Sequence, residues 1–156
     1  MCLNYRALAA PADGAPEFAI GGPMKTNRKI GAALRKETAF LESLARRCPQ
    51  DVEVLKILSD LYTQVGRYAE GLKADLDLSR LCPREPLVWY NLACSYALTA
   101  NPNEALSALA RAVDLGYSDY GWIRQDADLA SIRQDQRFQA LLQHLMTGKQ
   151  PTSRPA

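Results

Sequence analysis

The chain has little of what metal and cofactor chemistry requires. Its 156 residues include one histidine, His144, and four cysteines that form no C-x-x-C pair, namely Cys2, Cys48, Cys82 and Cys94. A zinc site needs several Cys or His ligands at short spacings, so these residues supply no donor set. Neither a G-x-G-x-x-G run nor a G-K-[ST] phosphate loop occurs. We therefore expect no metal and no cofactor, and we expect reduced, partly buried thiols.

An excess of one charge and a long apolar run are also missing. The 19 Lys and Arg residues nearly balance the 17 Asp and Glu residues, for a net charge of +2. Such a balance lacks the dense positive field that binds nucleic acid. No stretch has the 18 or so apolar residues that span a membrane, and residues 1–22 lack the apolar centre of a signal peptide. We expect a cytoplasmic protein that binds neither nucleic acid nor membranes.

Composition changes mark the two ends of the chain. Residues 1–26 contain Gly21-Gly22-Pro23 and no periodic apolar face, which indicates a flexible leader, and Met24 is a second candidate for the start of translation. The tail over 147–156 is polar, contains proline and is expected to be disordered. Between them, apolar residues at helical spacing predict an amphipathic helix over 27–47. The excess of basic residues around this helix is expected to face solvent, with contact to an anionic surface as the alternative.

The centre of the chain repeats with a period of 34 residues. A shift of 34 superimposes identical residues in the two units, which are Cys48-Pro49 on Cys82-Pro83, Leu58 on Leu92, Tyr62 on Tyr96, Glu70 on Glu104 and Leu81 on Leu115. Each unit has apolar residues at helical intervals in both of its halves. Gly66 interrupts the first unit and Asn101-Pro102 interrupts the second. Each unit is therefore predicted to be a hairpin of two helices.

The period and residue types resemble the tetratricopeptide repeat family, with its pattern W-x2-L-G-x2-Y, A-x3-F and P. The second unit matches it at Trp89, Leu92, Ala93, Tyr96 and Ala105, and the first at Leu55, Leu58, Ser59, Tyr62 and Pro83. The resemblance implies an all-α, right-handed superhelix of about seven helices with Trp89 and Tyr96 in its core. Asp75 and Leu109 replace the usual aromatic residue, and Tyr117 replaces the second proline. We expect the carboxylate of Asp75 to reach solvent or a hydrogen-bond donor.

Both ends of the repeat array have a predicted cap. Residues 27–48 align with the second half of a repeat and precede repeat one over 52–85 and repeat two over 86–119. Residues 120–146 belong to a segment that resembles the end-of-group module of bacterial tetratricopeptide arrays. In this module Asp126 or Asp128 is expected to cap one short helix and Asp135 another. Its apolar residues Phe138, Leu141, Leu142 and Leu145 are expected to face inward, and together the four segments make a domain over 27–146.

No set of residues suggests catalysis. His144 has no candidate partner near it in sequence, and the acidic residues of the C-terminal module lack the glycine and terminal glutamate of a calcium loop. We therefore expect a protein that is not an enzyme.

The resemblance implies a concave groove that binds a peptide or helix of a partner protein, so that the chain acts as a scaffold or adaptor. The family register assigns nine residues to this groove, namely Glu53, Lys56, Asp60, Gln64, Leu87, Tyr90, Asn91, Cys94 and Leu98. The family's clamp for a C-terminal carboxylate is matched only at Lys56 and Asn91, and Asp60 would repel a carboxylate. Arg124, one place out of register, is added to the groove as a partial substitute for the missing basic residues of the family's clamp. The groove residues of the second unit, from Leu87 to Leu98, form an apolar stripe. Three alternatives remain: coverage of this apolar stripe by the chain itself, self-association as a structural subunit or homo-oligomer, and a role as accessory subunit of an enzyme complex.

Overall fold

The computed structural model describes residues 28–147, and all the regular structure in this range is helical. The predicted leader over 1–26, with Met24, and all but the first residue of the predicted tail lie outside it. Seven α-helices and one 3₁₀ helix follow one another: α1 Arg28–Arg47, α2 Val52–Gln64, α3 Tyr68–Leu81, α4 Pro86–Leu98, α5 Pro102–Asp114, α6 Tyr120–Gln125, the 3₁₀ helix Ala127–Ile132 and α7 Gln136–Thr147. The predicted all-α class is confirmed.

Short turns fold the two 34-residue units into hairpins. The helix breaks fall at Gly66 and at Asn101-Pro102, where the sequence predicts them. Gly66 has a left-handed backbone with φ of 78°, and Ala100, which lies 34 residues later, has φ of 60°. Glycine tolerates this conformation, while alanine adopts it at some cost. The repeat is therefore present in the backbone angles as well as in the residue types.

Local signals start the helices. The carboxylate of Asp51 accepts hydrogen bonds of 3.1 Å from the backbone N–H groups of Glu53 and Val54, which caps α2. Pro86 and Pro102 occupy the first turns of α4 and α5, where a missing N–H costs nothing.

The helices stack in order along the chain. α2 packs on α3, α3 on α4 and α4 on α5, which is the arrangement of an α-solenoid. The largest cluster of buried side chains joins α4 and α5 to the C-terminal module and includes Leu109, Leu129, Ile132 and Phe138. Trp89 and Tyr96 are partly buried against this cluster.

α1 is attached to the hairpin of α2 and α3 by apolar and polar contacts. Leu41 packs with Leu58 and Tyr62 of α2. The Tyr62 hydroxyl donates to the Glu42 carboxylate at 3.0 Å, and the Arg67 guanidinium donates to the same carboxylate at 2.7 Å. Arg67 also lies 4.7 Å from the centre of the Tyr62 ring. Burial and the hydrogen bond to Glu42 raise the pKa of Tyr62 to about 12.

The buried carboxylate of Asp75 accepts hydrogen bonds from two side-chain donors. Its side chain is fully buried in the middle of α3. The Ser59 hydroxyl on α2 donates to one carboxylate oxygen at 2.6 Å, and the Ser95 hydroxyl on α4 donates to the other. One buried carboxylate thus connects three consecutive helices, which resolves the packing conflict that the sequence raises at this position.

Candidate partner-binding surface

The first half of the predicted groove lies on one open face of α2. Glu53 and Gln64 are exposed, and Lys56 and Asp60 are half-buried on the same side of the helix. The side chain of Glu53 keeps 78% of its accessible surface. These residues recur every three or four positions, so an amphipathic helix with its apolar side on α1 and α3 must present them together.

Ion pairing fixes the lysine of this face. The ammonium group of Lys56 lies 3.3 Å from the Glu53 carboxylate and 3.5 Å from the Glu85 carboxylate. Burial opposes the charge of Lys56, but the two carboxylates outweigh it and raise the pKa of Lys56. The ammonium is therefore already engaged within the chain, and the carboxylates beside it give this face a negative balance.

A second polar contact follows one turn later on α2. The Gln64 amide donates a hydrogen bond of 2.7 Å to the Asp60 carboxylate, four residues earlier. Both side chains are aligned along the open face by this contact.

One exposed apolar residue belongs to the same face and is missing from the sequence prediction. Ile57 keeps 47% of its accessible surface and lies directly after Lys56. It occupies the same position in repeat one as Asn91 does in repeat two, so the shift of 34 that relates the two units could have assigned Ile57 to the groove alongside Asn91. The open face of α2 is thus a single apolar side chain among acidic groups, an amide and the ion-paired Lys56.

The second half of the predicted groove is not open, and this part of the prediction is corrected. Tyr90, Asn91 and Cys94 are fully buried, Leu87 is 6% exposed and Leu98 is half-buried. The 3₁₀ helix Ala127–Ile132 packs along α4 and covers the stripe. On α4, therefore, the chain covers its own apolar stripe, which is one of the alternatives that the sequence leaves open.

Hydrogen bonds attach the covering segment to α4. The Asp126 carboxylate caps the 3₁₀ helix by accepting from the Asp128 N–H at 3.0 Å, and it also accepts from the Tyr90 hydroxyl. The Cys94 thiol lies 3.7 Å from the same carboxylate. Burial, together with Cys94 and Asp126, raises the pKa of Tyr90, which stays a neutral donor. The carboxylate is thus a cap and an anchor at once.

Further contacts complete this cover. The Tyr117 ring stacks on Tyr90 with the ring centres 4.3 Å apart. The Ser131 hydroxyl donates to the Ala97 carbonyl at 3.0 Å, at the end of α4. The tyrosine in place of the repeat's proline thus packs back on α4 within repeat two, at the residue that Asp126 also contacts.

The last helix of this module begins where the sequence predicts. Asp135 caps α7 by accepting a hydrogen bond of 2.8 Å from the Arg137 N–H. Phe138 and Leu142 are buried on the inner side of α7, as expected.

Arg124 belongs to a different part of the surface. It is exposed on α6, with its guanidinium carbon 6.0 Å from the centre of the Tyr120 ring. α6 packs mainly against α7. The structure therefore brings together the α2 residues of the predicted groove and separates them from Arg124.

Cys48, Cys82, Cys94 and His144 belong to four different parts of the described chain. Cys48 is exposed, which corrects the expectation of burial, while Cys82 is half-buried and Cys94 is buried. His144 is half-buried on α7. Across residues 28–147 no three His, Cys, Asp or Glu side chains are grouped so that they could hold a metal ion. None of the helices in that range combines the length and apolar character that crossing a bilayer demands.

Comparison with known proteins gives a partial likeness. No protein-family model matches the chain. A stretch of 84 residues, which is 52% of the chain, is 36% identical to a protein of Arabidopsis thaliana whose name carries the word "chloroplastic". The stretch corresponds to 25% of that protein, so the chain spans about a quarter of the length of this relative.

Proposed function

We propose that the chain is a non-enzymatic interaction module of the tetratricopeptide type, which acts as a scaffold or adaptor by binding a segment of a partner protein on the open face of α2. The observation that carries this proposal is the contrast between two equivalent helices. The face of α4 is buried beneath the C-terminal module, whereas the equivalent face of α2 exposes Ile57 among polar side chains.

The chemistry of the α2 face selects the partner. Ile57 offers an apolar contact, and Glu53 and Asp60 lie one turn away from it in each direction. The ammonium group of Lys56 is already paired with the carboxylates of Glu53 and Glu85, so the net charge of the face stays negative. The best match is a helix or extended peptide with one large apolar side chain flanked by Lys or Arg. A C-terminal carboxylate is a poor match because the buried Asn91 offers it no donor.

Paired substitutions test this proposal. Ile57→Glu removes the apolar contact, and Leu81→Glu is the matched control because Leu81 is another exposed aliphatic residue, at the end of α3. Both variants and the wild-type chain serve as baits in a native lysate after circular dichroism confirms their helix content. Proteins retained by the wild type and by Leu81→Glu, but lost with Ile57→Glu, are the expected result.

Direct binding then checks the preference for charge. A peptide from a retained protein that contains an apolar residue between basic residues should bind the wild type and lose affinity when its basic residues become Glu. Recovery of the same proteins with Ile57→Glu and with Leu81→Glu would show that the α2 face does not bind them. Recovery of nothing but the chain itself would favour the alternative of a self-associating subunit.

The cellular location of the module is part of the proposal, and we place it in the cytoplasm, as the sequence prediction does. The partial relative carries the word "chloroplastic" in its name, so cell fractionation with an antibody to the native chain tests this placement. Recovery of the chain in an organelle fraction would overturn it.

A further inference from the structure

α1 differs from α3 and α5 in having no preceding helix to pack against within residues 28–147. α3 packs on α2, and α5 packs on α4, so each is the second helix of a hairpin. α1 aligns with these second helices through the 34-residue period, but it packs extensively on α2, which follows it. The side of α1 that corresponds to the inside of a hairpin is therefore open in the described part of the chain.

The equivalent positions of α3 show what this side normally contacts. A Cβ atom at Gly71 would lie 3.5 Å from the Tyr62 Cβ atom, so this position of α3 packs directly on α2. Ala74, nearly one turn later, is buried. The residues of α1 that lie 34 positions earlier are Glu37 and Phe40, and both are exposed.

Phe40 is the most exposed large apolar side chain among residues 31–147. It keeps 66% of its accessible surface. The packing of α1 on α2 centres on a neighbouring side of the helix, where Thr38 and Leu41 are buried, and Phe40 lies outside that buried cluster. Together with the half-buried Leu44 one turn later, Phe40 gives this face an apolar centre on which a partner helix can pack.

The open face is one stripe along the helix. Its residues recur at spacings of three and four, which places them on one side of α1, and they are Ala33, Lys36, Glu37, Phe40, Leu44 and Arg47. Leu44 is half-buried beside Leu41, and the other five are exposed. The 4-3-4-3 spacing of positions 33, 37, 40, 44 and 47 is that of a seam between two helices.

We infer that this face of α1 is a second docking surface, which binds an amphipathic helix of a partner protein with an apolar seam and acidic flanks. Charge identifies the partner. Lys36 and Arg47 lie on the stripe before and after Phe40. Glu37 is the single acidic residue of the stripe.

The positive charge of α1 also favours this partner over other occupants of the face. The next carboxylate along α1, that of Glu42, is engaged by Tyr62 and Arg67 and does not offset the cations. A second copy of the chain would bring the same basic helix against this one, and like charges at a helix seam are unfavourable. The α2 face has the opposite balance, so the two surfaces select partners of opposite charge.

A designed peptide tests the surface in the full-length chain. The probe is a fluorescein-labelled helix with a Leu and Ala seam and Glu at the flanking positions, and its matched control has Lys at those positions. We expect the Glu probe to bind the wild type, with affinity that falls as salt is raised, and to bind Phe40→Glu at least about tenfold more weakly. Ile57→Glu lies on the other surface and should bind the Glu probe like the wild type, which keeps this test independent of the proposed function.

Three results would overturn the inference. They are equal binding of the Glu and Lys probes, equal binding by Phe40→Glu and wild type, and a wild-type dimer that Phe40→Glu converts to a monomer, which would identify a second copy as the occupant. Circular dichroism checks that Phe40→Glu keeps the helix content of the wild type. As a second variant, Arg47→Glu retains the apolar residue and should weaken the Glu probe while strengthening the Lys probe.

Discussion

The hydroxyl of Tyr90 on α4 donates a hydrogen bond to the carboxylate of Asp126 at the start of the C-terminal module. Both side chains are nearly or fully buried, and the same carboxylate caps the 3₁₀ helix that follows it. A residue that the family register assigns to an open groove is therefore an anchor for the module that closes it. This relationship divides the predicted groove into an open face on α2 and a structural contact on α4.

Tyr90→Phe tests the anchor. The substitution keeps the stacked ring and deletes the hydroxyl, so Asp126 loses one of its donors in a buried site. We expect the free energy of unfolding to fall by about 2 kcal/mol, the usual cost of losing a buried hydrogen bond to a charged group. Urea denaturation measures it, with Tyr68→Phe on the exposed surface as the control that should not change. Equal stability of Tyr90→Phe and wild type would contradict the anchoring role.

Ser59→Ala tests the buried carboxylate of Asp75. Removal of this hydroxyl leaves Asp75 with fewer donors in a site that water does not reach, and we expect a loss of about 1 to 3 kcal/mol in the free energy of unfolding. Ser107→Ala makes the same chemical change on the exposed side of α5 and should stay within about 0.5 kcal/mol of wild type. Similar denaturation midpoints for both variants would show that Asp75 does not depend on Ser59.

Asn91→Leu should stabilise the chain. Asn91 is fully buried, and neither atom of its amide group has a hydrogen-bond partner among residues 28–147. Leucine has nearly the same shape and removes this cost, so we expect a gain of about 1 kcal/mol in thermal or urea unfolding. Asn91→Asp places a charge at the same site and should lower stability sharply. A loss of stability in Asn91→Leu would mean that the amide has an unrecognised partner.

Tyr62 gives the chain a dependence on alkaline pH. Its pKa is raised to about 12 in the folded chain, against an ordinary value of 10.0. Its contribution to stability is therefore complete below about pH 10 and is lost as the pH rises toward 12, because the unfolded chain releases the proton first. The free energy of unfolding should fall over this window more steeply in the wild type than in Tyr62→Phe. An equal fall in the free energy of unfolding with pH in the wild type and in Tyr62→Phe would contradict the raised pKa of Tyr62.

Much of the fold could be predicted because it follows from local signals. The 34-residue period places the turns, and the equivalent residues Gly66 and Ala100 share a left-handed backbone. Asp126 and Asp135 cap the helices that the sequence assigns to them, because a carboxylate before a helix start needs only neighbouring N–H groups. Periodicity also identifies which residues share a face of each helix.

Periodicity does not tell which distant segment covers a face. Tyr90 and Cys94 share the side of α4 that the register predicts, but burial by the C-terminal module depends on contacts with residues far along the chain. The donors of Asp75 likewise come from two other helices. Cys48 is exposed although Cys82 at the equivalent position is half-buried, because α1 lacks the hairpin neighbour that α3 has within the described residues.

The rate of thiol modification at two equivalent helix faces tests the central contrast most directly. In a variant with Cys2, Cys48 and Cys82 changed to serine, the native Cys94 reports on α4, and an added Ile57→Cys reports on α2. We expect Ile57→Cys to react with a thiol reagent about as fast as an unfolded peptide, and Cys94 to react only at the rate of global unfolding. Rapid modification of Cys94 under native conditions would show that the C-terminal module opens, and it would contradict the division between an open α2 face and a closed α4 face.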